Sequence, residues 1–389
     1  MKVWLSILLL WLVLAFVGLL HRQRHEPATR RPPTPSALVP SDAVLEGAES
    51  RRDLKAGTQL PGLPATDATP LIADPGETPV RTRSIVEEIL LQLARMQNDD
   101  GSWGQGSAWL GGHRLDQVGM TGLAIIALLK EGYSHLSKDE CDGVRFGLSV
   151  KNGLKWLLRN QQDDGTIATT WSGPVDHALA TWALSEAYGM TATNLFKAPA
   201  QASVDALSGR FKASIDRDDE SSALWMAFAL LSARLGELEI PEGLAEDGLA
   251  YFGRKLSGSE GTTAAAGWCA LGGGHDAAGL RAVAERLVRE PPDADVPDLI
   301  GWHLKSTVLN RCRGNERELA STWNRRGRES TVRTWKSAQE PFWKSNDAVI
   351  QASLLVFNLE YRAWPFTACD CCTSSEELRA REFPDPEPK

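Results

Sequence analysis

The sequence predicts an all-α fold in which helical hairpins close into a ring, and three observations support that prediction. Apolar segments rich in Ala, Leu and Trp recur through residues 82–364 at spacings of about 40 to 55 residues. Amphipathic segments lie between them. No run of alternating β-branched residues and no Asn-Gly hairpin signal predicts a sheet. Buried and half-exposed helices that alternate in this way are typical of repeat folds with two helical layers.

The apolar segments predict the inner helices of the ring. Two of them, residues 123–129 and 223–231, are apolar on nearly every face, as expected for helices surrounded by other helices. The predicted inner helices span residues 119–131, 175–188, 221–235, 262–271, 298–309 and 347–361. The predicted outer helices are amphipathic and span residues 85–96, 151–160, 200–207, 243–256 and 278–289.

Two of the connections between helices share sequence. Residues 93–103 align with residues 157–167 without a gap, and each copy contains a Gln, an Asp-Gly pair and a hydrophobic residue at matching positions. The glycine permits the left-handed backbone that ends a helix. The glutamine can reach unpaired carbonyl groups or the neighbouring turn, and the tryptophan of the first copy can cover it.

In the first copy, Gln97, Gly101 and Trp103 resemble the Q–G–W repeat of the squalene–hopene cyclase and oxidosqualene cyclase family, whose fold protein prenyltransferase β subunits share. The second copy keeps the glutamine and the glycine and has Ile167 in place of the tryptophan. The resemblance implies an (α/α)6 toroid over residues 81–365, in a divergent single-domain member, since full squalene cyclases use two helical domains. A shared fold does not transfer activity.

The resemblance also implies a catalytic acid. Residues 216–219 read Asp-Arg-Asp-Asp and fit the DxDD motif of class II terpene cyclases, which assigns the proton donor to Asp218 and supporting carboxylates to Asp216 and Asp219. Such an acid needs burial and neighbouring carboxylates to raise its pKa. The alternative is a helix cap, because a helix N-terminus and the adjacent Arg217 both favour the ionised carboxylate.

Acidic or amide residues precede nearly every predicted inner helix, so parallel inner helices would gather them at one mouth of the ring. We expect Asp116 and Asp176 at this rim, with Gln117 and His177 adding hydrogen-bonding groups. Aromatic faces can line a pocket for an isoprenoid chain or stabilise a carbocation. The candidate wall residues are Trp182, Trp225, Phe228, Trp268 and Trp302. The alternatives are helix caps for the acidic residues and packed core for the aromatic ones.

The sequence predicts no metal site and no cofactor. The prenyltransferase branch uses an Asp, a Cys and a His as zinc ligands, and no matching D-x-C pattern lies on a predicted inner helix. The thiols of residues 369–372 follow the toroid, with no histidine nearby. A run of three glycines at 272–274 lacks the Lys-Ser/Thr of a phosphate-binding loop. A formal net charge of −8 disfavours nucleic acid as a partner.

The first residues predict a membrane anchor. Residues 3–20 are uncharged and would span about 27 Å as a helix, and the alternative of a cleavable signal peptide lacks a small-x-small site. Ten of the 21 prolines fall within residues 21–79, which predicts an extended spacer. The predicted organisation is a transmembrane anchor at 1–21, a disordered linker at 22–80, the toroid at 81–365, and a Cys cluster with a disordered tail at 366–389. Arginines after the span favour a cytoplasmic toroid.

Two functions follow as expectations. In the first, the toroid is a non-catalytic module that is held near a membrane and engages an isoprenoid, another apolar ligand or a protein partner. In the second, it is a class II terpene cyclase in which Asp218 protonates a polyprenyl substrate. The enzyme needs Asp218 to face an enclosed cavity, whereas a helix cap would leave this side chain in solvent.

Overall fold

The computed structural model describes residues 79–256, 261–274, 278–311, 316–338 and 345–359. The predicted anchor, the predicted linker up to residue 78 and the thiols of residues 369–372 lie outside these ranges. Within them, no helix combines the length and the apolar character that crossing a bilayer requires.

α-Helices make up most of the described residues, in agreement with the predicted all-α class. Each apolar segment singled out in the sequence lies in a helix that we term a core helix: α2 (Gln117–Lys130), α4 (Pro174–Thr191), α6 (Glu220–Leu235), α8 (Thr262–Ala270), α10 (Leu299–Leu309) and α12 (Asn346–Leu359). The others are termed flanking helices: α1 (Pro79–Arg95), α3 (Phe146–Arg159), α5 (Asn194–Asp216), α7 (Leu244–Lys255), α9 (Ala278–Leu287) and α11 (Glu316–Ser337).

The core helices bury nearly their whole surface. Helix α2 buries every residue from Val118 to Lys130, and helix α6 buries every residue from Ser222 to Ala233. A helix without a polar face has no side to turn to water, so neighbouring helices must cover it all round. The apolar composition of these segments therefore dictates that they pack mainly on one another.

The packing of the core helices forms a circuit. Helix α2 contacts α4, α4 contacts α6, and the series continues through α8, α10 and α12, which contacts α2 again. Flanking helices bridge neighbouring core helices. For example, α5 packs on α4 and α6, α11 packs on α10 and α12, and α1 packs on α12 and α2. The first and last helices of the described chain therefore lie side by side.

Two flanking helices differ from the sequence prediction. Helix α5 covers 23 residues rather than only 200–207, because its buried stripe continues from Phe196 to Phe211 at helical spacing. Helix α11 was not predicted. Six of its 22 residues are Arg or Lys, and few apolar positions remain to mark its buried side.

Two short β-hairpins, which the sequence analysis did not predict, lie between the helices. Strands β1 (Ala108–Leu110) and β2 (His113–Leu115) pair across a Gly-Gly turn before α2. Strands β3 (Glu140–Cys141) and β4 (Val144–Arg145) pair across Asp142 and Gly143 before α3. The two residues of each turn all have positive φ, and Gly-Gly and Asp-Gly are the pairs that favour such two-residue turns. This turn chemistry was the signal that the search for Asn-Gly overlooked.

The two related connections adopt the same structure. Gln97 Nε2 donates to the Gly101 carbonyl and to the Ser149 carbonyl of α3, each at 2.9 Å. Gln161 Nε2 donates in the same way to the carbonyls of Gly165 and Pro199, at 3.3 Å and 2.8 Å. Each glutamine therefore satisfies a carbonyl of its own turn and one of the next flanking helix, as its position at a helix end suggested.

The glycine and the hydrophobic residue complete these turns. Gly101 has φ +94°, and a Cβ there would lie 2.5 Å from the Asn152 carbonyl oxygen. Trp103 is fully buried, and its Nε1 donates to the Leu93 carbonyl at 2.7 Å, which closes the end of α1. Ile167 occupies the matching buried position in the second turn, where its backbone N–H donates to His177 Nδ1.

Candidate functional site

The aspartate motif lies at the surface between α5 and α6. Asp216 and Asp218 are exposed, and Asp218 forms an ion pair with Lys255 Nζ at 2.7 Å. The hydrogen bond from Lys255 lowers the pKa of Asp218, which is opposite to the shift that a protonating acid needs. Asp219 accepts the backbone N–H of Ser222 at 3.1 Å and so caps helix α6. These positions agree with the alternative of a helix cap. Asp218 is not enclosed, as a buried catalytic acid would have to be.

The two rim aspartates lie next to each other at the starts of α2 and α4. Asp116 is buried, and its carboxylate accepts Val118 N at 2.8 Å, Ser172 Oγ at 2.5 Å and the Thr169 hydroxyl. Asp176 accepts the backbone N–H of Asp116 at 2.8 Å. The structure therefore brings these two residues together at the starts of α2 and α4.

The environment of Asp176 favours its protonated form. Burial and the neighbouring Asp116 raise its pKa to about 7, although backbone hydrogen bonds from Gly173 and Asp116 oppose the shift. Its Oδ1 accepts Gly119 N at 3.1 Å, and its Oδ2 accepts Gly173 N at 2.7 Å. Because local backbone groups fill its acceptor positions, Asp176 binds together two helix starts.

The two other rim residues, Gln117 and His177, also form hydrogen bonds with backbone groups of the protein. Gln117 is half-buried, and its Nε2 donates to the Gly104 carbonyl at 3.0 Å. His177 is buried, and its Nδ1 accepts the backbone N–H of Ile167 at 3.1 Å. Burial and the nearby Arg210 lower the pKa of His177 to about 3, so this ring is neutral at physiological pH. Each side chain therefore bonds its own core helix to the connection that precedes it: Gln117 in α2 and His177 in α4.

Three of the predicted wall residues pack directly on one another. The rings of Trp182 and Phe228 are stacked with centroids 5.4 Å apart, and Trp225 lies 6.1 Å from Phe228. Phe357 of α12 and His303 of α10 join the same group, at 6.3 Å from Trp182 and 6.0 Å from Phe228 respectively. Side chains from α4, α6, α10 and α12 therefore meet ring against ring, in agreement with the packed-core alternative.

The remaining two wall residues differ in burial. Trp302 is buried in helix α10. Trp268 is only half-buried, and it points toward the flanking helix α7, where it lies against Gly253. Its Nε1 donates to the Gly274 carbonyl at 3.2 Å. Trp268 therefore closes the end of α8 from the side of its flanking helix, and it does not join the aromatic group.

The sequence analysis missed a charged pair beside the aromatic group. Glu186 of α4 is buried, and its Oε2 accepts Ser232 Oγ at 2.7 Å. Burial raises the pKa of Glu186 to about 7, and the nearby ammonium of Lys130 partly opposes that shift. Lys130 Nζ lies 4.3 Å from the centroid of the Phe357 ring. The sequence signal that could have identified these residues is a single Glu or Lys within an otherwise apolar helix.

His303 is the third titratable side chain in this region. It is buried, and its ring lies 5.2 Å from that of Phe357. Burial, followed by the charge of Lys130, holds the pKa of His303 well below its ordinary value. Its neutral ring therefore packs as an aromatic side chain and adds no second charge beside Lys130. We term Lys130, Glu186, Ser232 and His303 the buried polar cluster.

The end of the molecule at which α2, α4 and α10 begin carries exposed apolar side chains. Trp109 of β1 is 66% exposed, Trp171 before α4 is 72% exposed, and Val296 before α10 is 73% exposed. The hairpin that bears Trp109 is held there by His113 Nε2, which lies 2.7 Å from Ser221 Oγ at the start of α6. The loop that bears Trp171 is held by the Ser172 hydrogen bond to Asp116. Side-chain hydrogen bonds therefore hold the hairpin and the loop that carry these two exposed indole rings.

Open space and metal-ligand groups are scarce in the described part of the chain. A cavity of about 20 Å³ between α6 and the neighbouring α7 and α8 is lined by Leu231, Ile240 and Leu271, and it has room for about one water molecule. No group of three or more His, Cys, Asp or Glu side chains within the described ranges is arranged to hold a metal ion.

Comparison of the chain with protein-family models, with curated proteins and with solved structures found no match.

Proposed function

We propose that residues 81–365 form an (α/α)6 toroid that resembles the squalene cyclase repeat domain. The circuit of contacts from α2 through α12 and back to α2 supports this proposal, as does the bridging of neighbouring core helices by flanking helices. The matching hydrogen bonds of Gln97 and Gln161 add support, because they give two successive hairpins the same connection.

The proposed function is that of a non-catalytic interaction module, held near a membrane by residues 1–21. One observation carries this proposal: aromatic rings fill the region where four core helices face one another. Trp182 and Phe228 stack at 5.4 Å, and His303 lies 5.2 Å from Phe357, which is ordinary contact distance for packed rings. A toroid filled in this way offers its surface, rather than an interior pocket, to a partner.

The alternative of a class II terpene cyclase receives less support. Its acid would have to stay protonated inside a pocket, whereas Asp218 is exposed and paired with Lys255 at 2.7 Å. A polyprenyl substrate would also need the space that Trp182, Phe228 and Phe357 occupy. We therefore expect no turnover of polyprenyl substrates.

The surface best suited to a protein partner is the end that bears Trp109 and Trp171. Exposed indole rings supply large apolar contact area at a low cost in side-chain entropy, because each has only two rotatable side-chain bonds. Arg114 is exposed and pairs with Trp109 across the hairpin, which adds a donor beside the ring. We propose that these three side chains contact the partner.

Cross-linking mass spectrometry on the full chain, purified from its source in mild detergent, tests this proposal. We expect cross-links to a protein partner near residues 109–114 and 171, and their loss in a Trp109→Ala/Trp171→Ala variant. Leu136 and Leu148 are exposed apolar residues away from this end, so Leu136→Ala/Leu148→Ala is the matched control. Mass spectrometry of small molecules should find no stoichiometric isoprenoid. An isoprenoid in the wild type, or turnover that Asp218→Asn abolishes, would overturn the proposal.

A further inference from the structure

One face of the flanking helix α11 is basic. Arg326, Arg333 and Lys336 are exposed, and at 100° per residue they fall within about 80° of one another around the helix axis. None of the three forms an ion pair with a described residue. Residues 325–336 contain five cationic side chains and one carboxylate, a formal charge of +4. We term Arg326, Arg333 and Lys336 the basic face.

A surface of opposite sign lies between α6 and α7. Residues 237–247 contain five carboxylates and no cation, a formal charge of −5, and all five side chains are exposed. Asp247 has a partner, Lys212 Nζ at 3.9 Å, and the other four form no ion pair with a described residue. Glu237 and Glu239 lie four or more residues before the N-cap Gly243, so a favourable helix dipole does not account for them. We term Glu237, Glu239, Glu242 and Glu246 the acidic patch.

These two surfaces belong to different parts of the circuit. Helix α7 packs on α5 and α8, whereas α11 packs on α10 and α12. The flanking helix α9 packs on α8 and α10, and so lies between them in the order of the circuit. The acidic patch lies in the connection before α7 and in its first turn, and the basic face lies on α11. Two separate surfaces of opposite charge can neutralise each other between two molecules.

We propose that the chain associates head to tail, with the basic face of one copy on the acidic patch of the next. Because the two surfaces are different, each copy keeps one of them open after the first contact, and the association is heterologous and can extend. Exposed ion pairs are individually weak, so the association is weak in dilute solution and sensitive to salt. This proposal does not depend on the proposed function, since neither surface includes Trp109 or Trp171.

Two charge-reversal variants test the arrangement by sedimentation velocity on the full chain in nonionic detergent. In the first, Arg326→Glu, Arg333→Glu and Lys336→Glu reverse the basic face. In the second, Glu239→Lys, Glu242→Lys and Glu246→Lys reverse the acidic patch. At low ionic strength we expect dimers and larger species for the wild type and monomers for each variant alone. An equal mixture of the two variants should associate again, because the native pair of surfaces remains and the two reversed surfaces are themselves of opposite sign.

The matched control makes the same change in net charge as the basic-face variant, at exposed cations outside both surfaces and outside the proposed partner surface: Lys138→Glu, Arg145→Glu and Lys197→Glu. This variant should associate as the wild type does. At about 1 M salt, where the Debye length is about 3 Å, wild-type association should weaken by about tenfold or more. A monomeric wild type at low ionic strength, association that persists in either variant alone, or a mixture that stays monomeric would each overturn the proposal. Circular dichroism verifies that the variants remain folded.

Discussion

The carboxylate of Asp176 accepts the backbone N–H of Asp116 at 2.8 Å, so the start of helix α4 is bonded directly to the start of helix α2. The same carboxylate accepts Gly119 N and Gly173 N. A Cβ at Gly119 would overlap with this carboxylate, so the two helices approach this closely only because residue 119 is glycine. Asp176 thus serves two helices at once.

Replacing Asp176 by Ala should lower the free energy of unfolding by about 3 kcal/mol or more, because three N–H groups lose their acceptor at a buried site. Urea unfolding followed by circular dichroism measures this loss. Asp298 is the matched control, since it accepts Gly301 N at 2.9 Å at an exposed helix start. Asp298→Ala should cost about 1 kcal/mol. Equal losses in the two variants would contradict the role given to Asp176.

Gly101→Ala should destabilise the protein more than Gly112→Ala does. Both residues have similar positive φ angles, +94° and +86°, so both substitutions carry the cost of left-handed backbone, about 1 kcal/mol. At Gly101 the new Cβ would also meet the Asn152 carbonyl oxygen at 2.5 Å, whereas nothing lies within 4 Å of a Cβ at Gly112. We expect about 2 kcal/mol of additional loss at Gly101, measured by thermal unfolding. A difference of zero would show that α3 moves away without cost.

Glu186→Gln should change the pH dependence of stability. The folded-state pKa of Glu186 is raised to about 7 from 4.5, so ionising it in the fold costs stability, and the cost grows as the pH rises through this interval. Relative to wild type, the variant should therefore gain up to about 3 kcal/mol between pH 4.5 and 7. Urea unfolding across this range provides the measurement, with the exposed Glu237→Gln as control. The prediction fails if the two variants show parallel curves.

Asp218→Asn and Asp219→Ala should affect stability differently, although both residues belong to the aspartate motif. Asp218 is exposed and its ion pair with Lys255 lies at the surface, so the melting temperature of the Asp218→Asn variant should stay close to that of the wild type. Asp219 caps α6 through Ser222 N, and its loss should cost about 1 kcal/mol. Differential scanning calorimetry distinguishes these outcomes. A large effect at Asp218 with none at Asp219 would reverse the assignment of the cap.

The core helices could be predicted from the sequence because burial on every face leaves an unbroken apolar composition, as in residues 223–231. Helix α11 could not, because four of its Arg and Lys residues are exposed and few apolar positions remain to mark its buried side. The short hairpins depend on Gly111-Gly112 and Asp142-Gly143, because in each turn two residues must adopt positive φ angles. Local turn signals of this length are easily passed over beside long helices.

For the candidate site, position in the chain predicted which residues share one end, and Asp116 and Asp176 do. It did not predict the hydrogen-bond partners of those residues, because the partners depend on how each helix is rotated about its own axis. The same limit applies to the aromatic residues: Trp182 and Phe228 stack, whereas Trp268 turns to a flanking helix. The pairing of Glu186 with Ser232 required two helices to be placed side by side, which no single segment encodes.

The return of helix α12 to helices α1 and α2 has a consequence for how the chain folds. More than 200 residues separate α12 from α2, and still more separate it from α1, so closing this contact carries the largest loop-closure entropy of the circuit. During synthesis, α2 leaves the ribosome long before α12 exists, and its side toward α12 must wait uncovered. Folding is therefore expected to finish only after the carboxyl-terminal helix emerges, and a chain that stops before residue 346 should expose that side to aggregation and proteolysis.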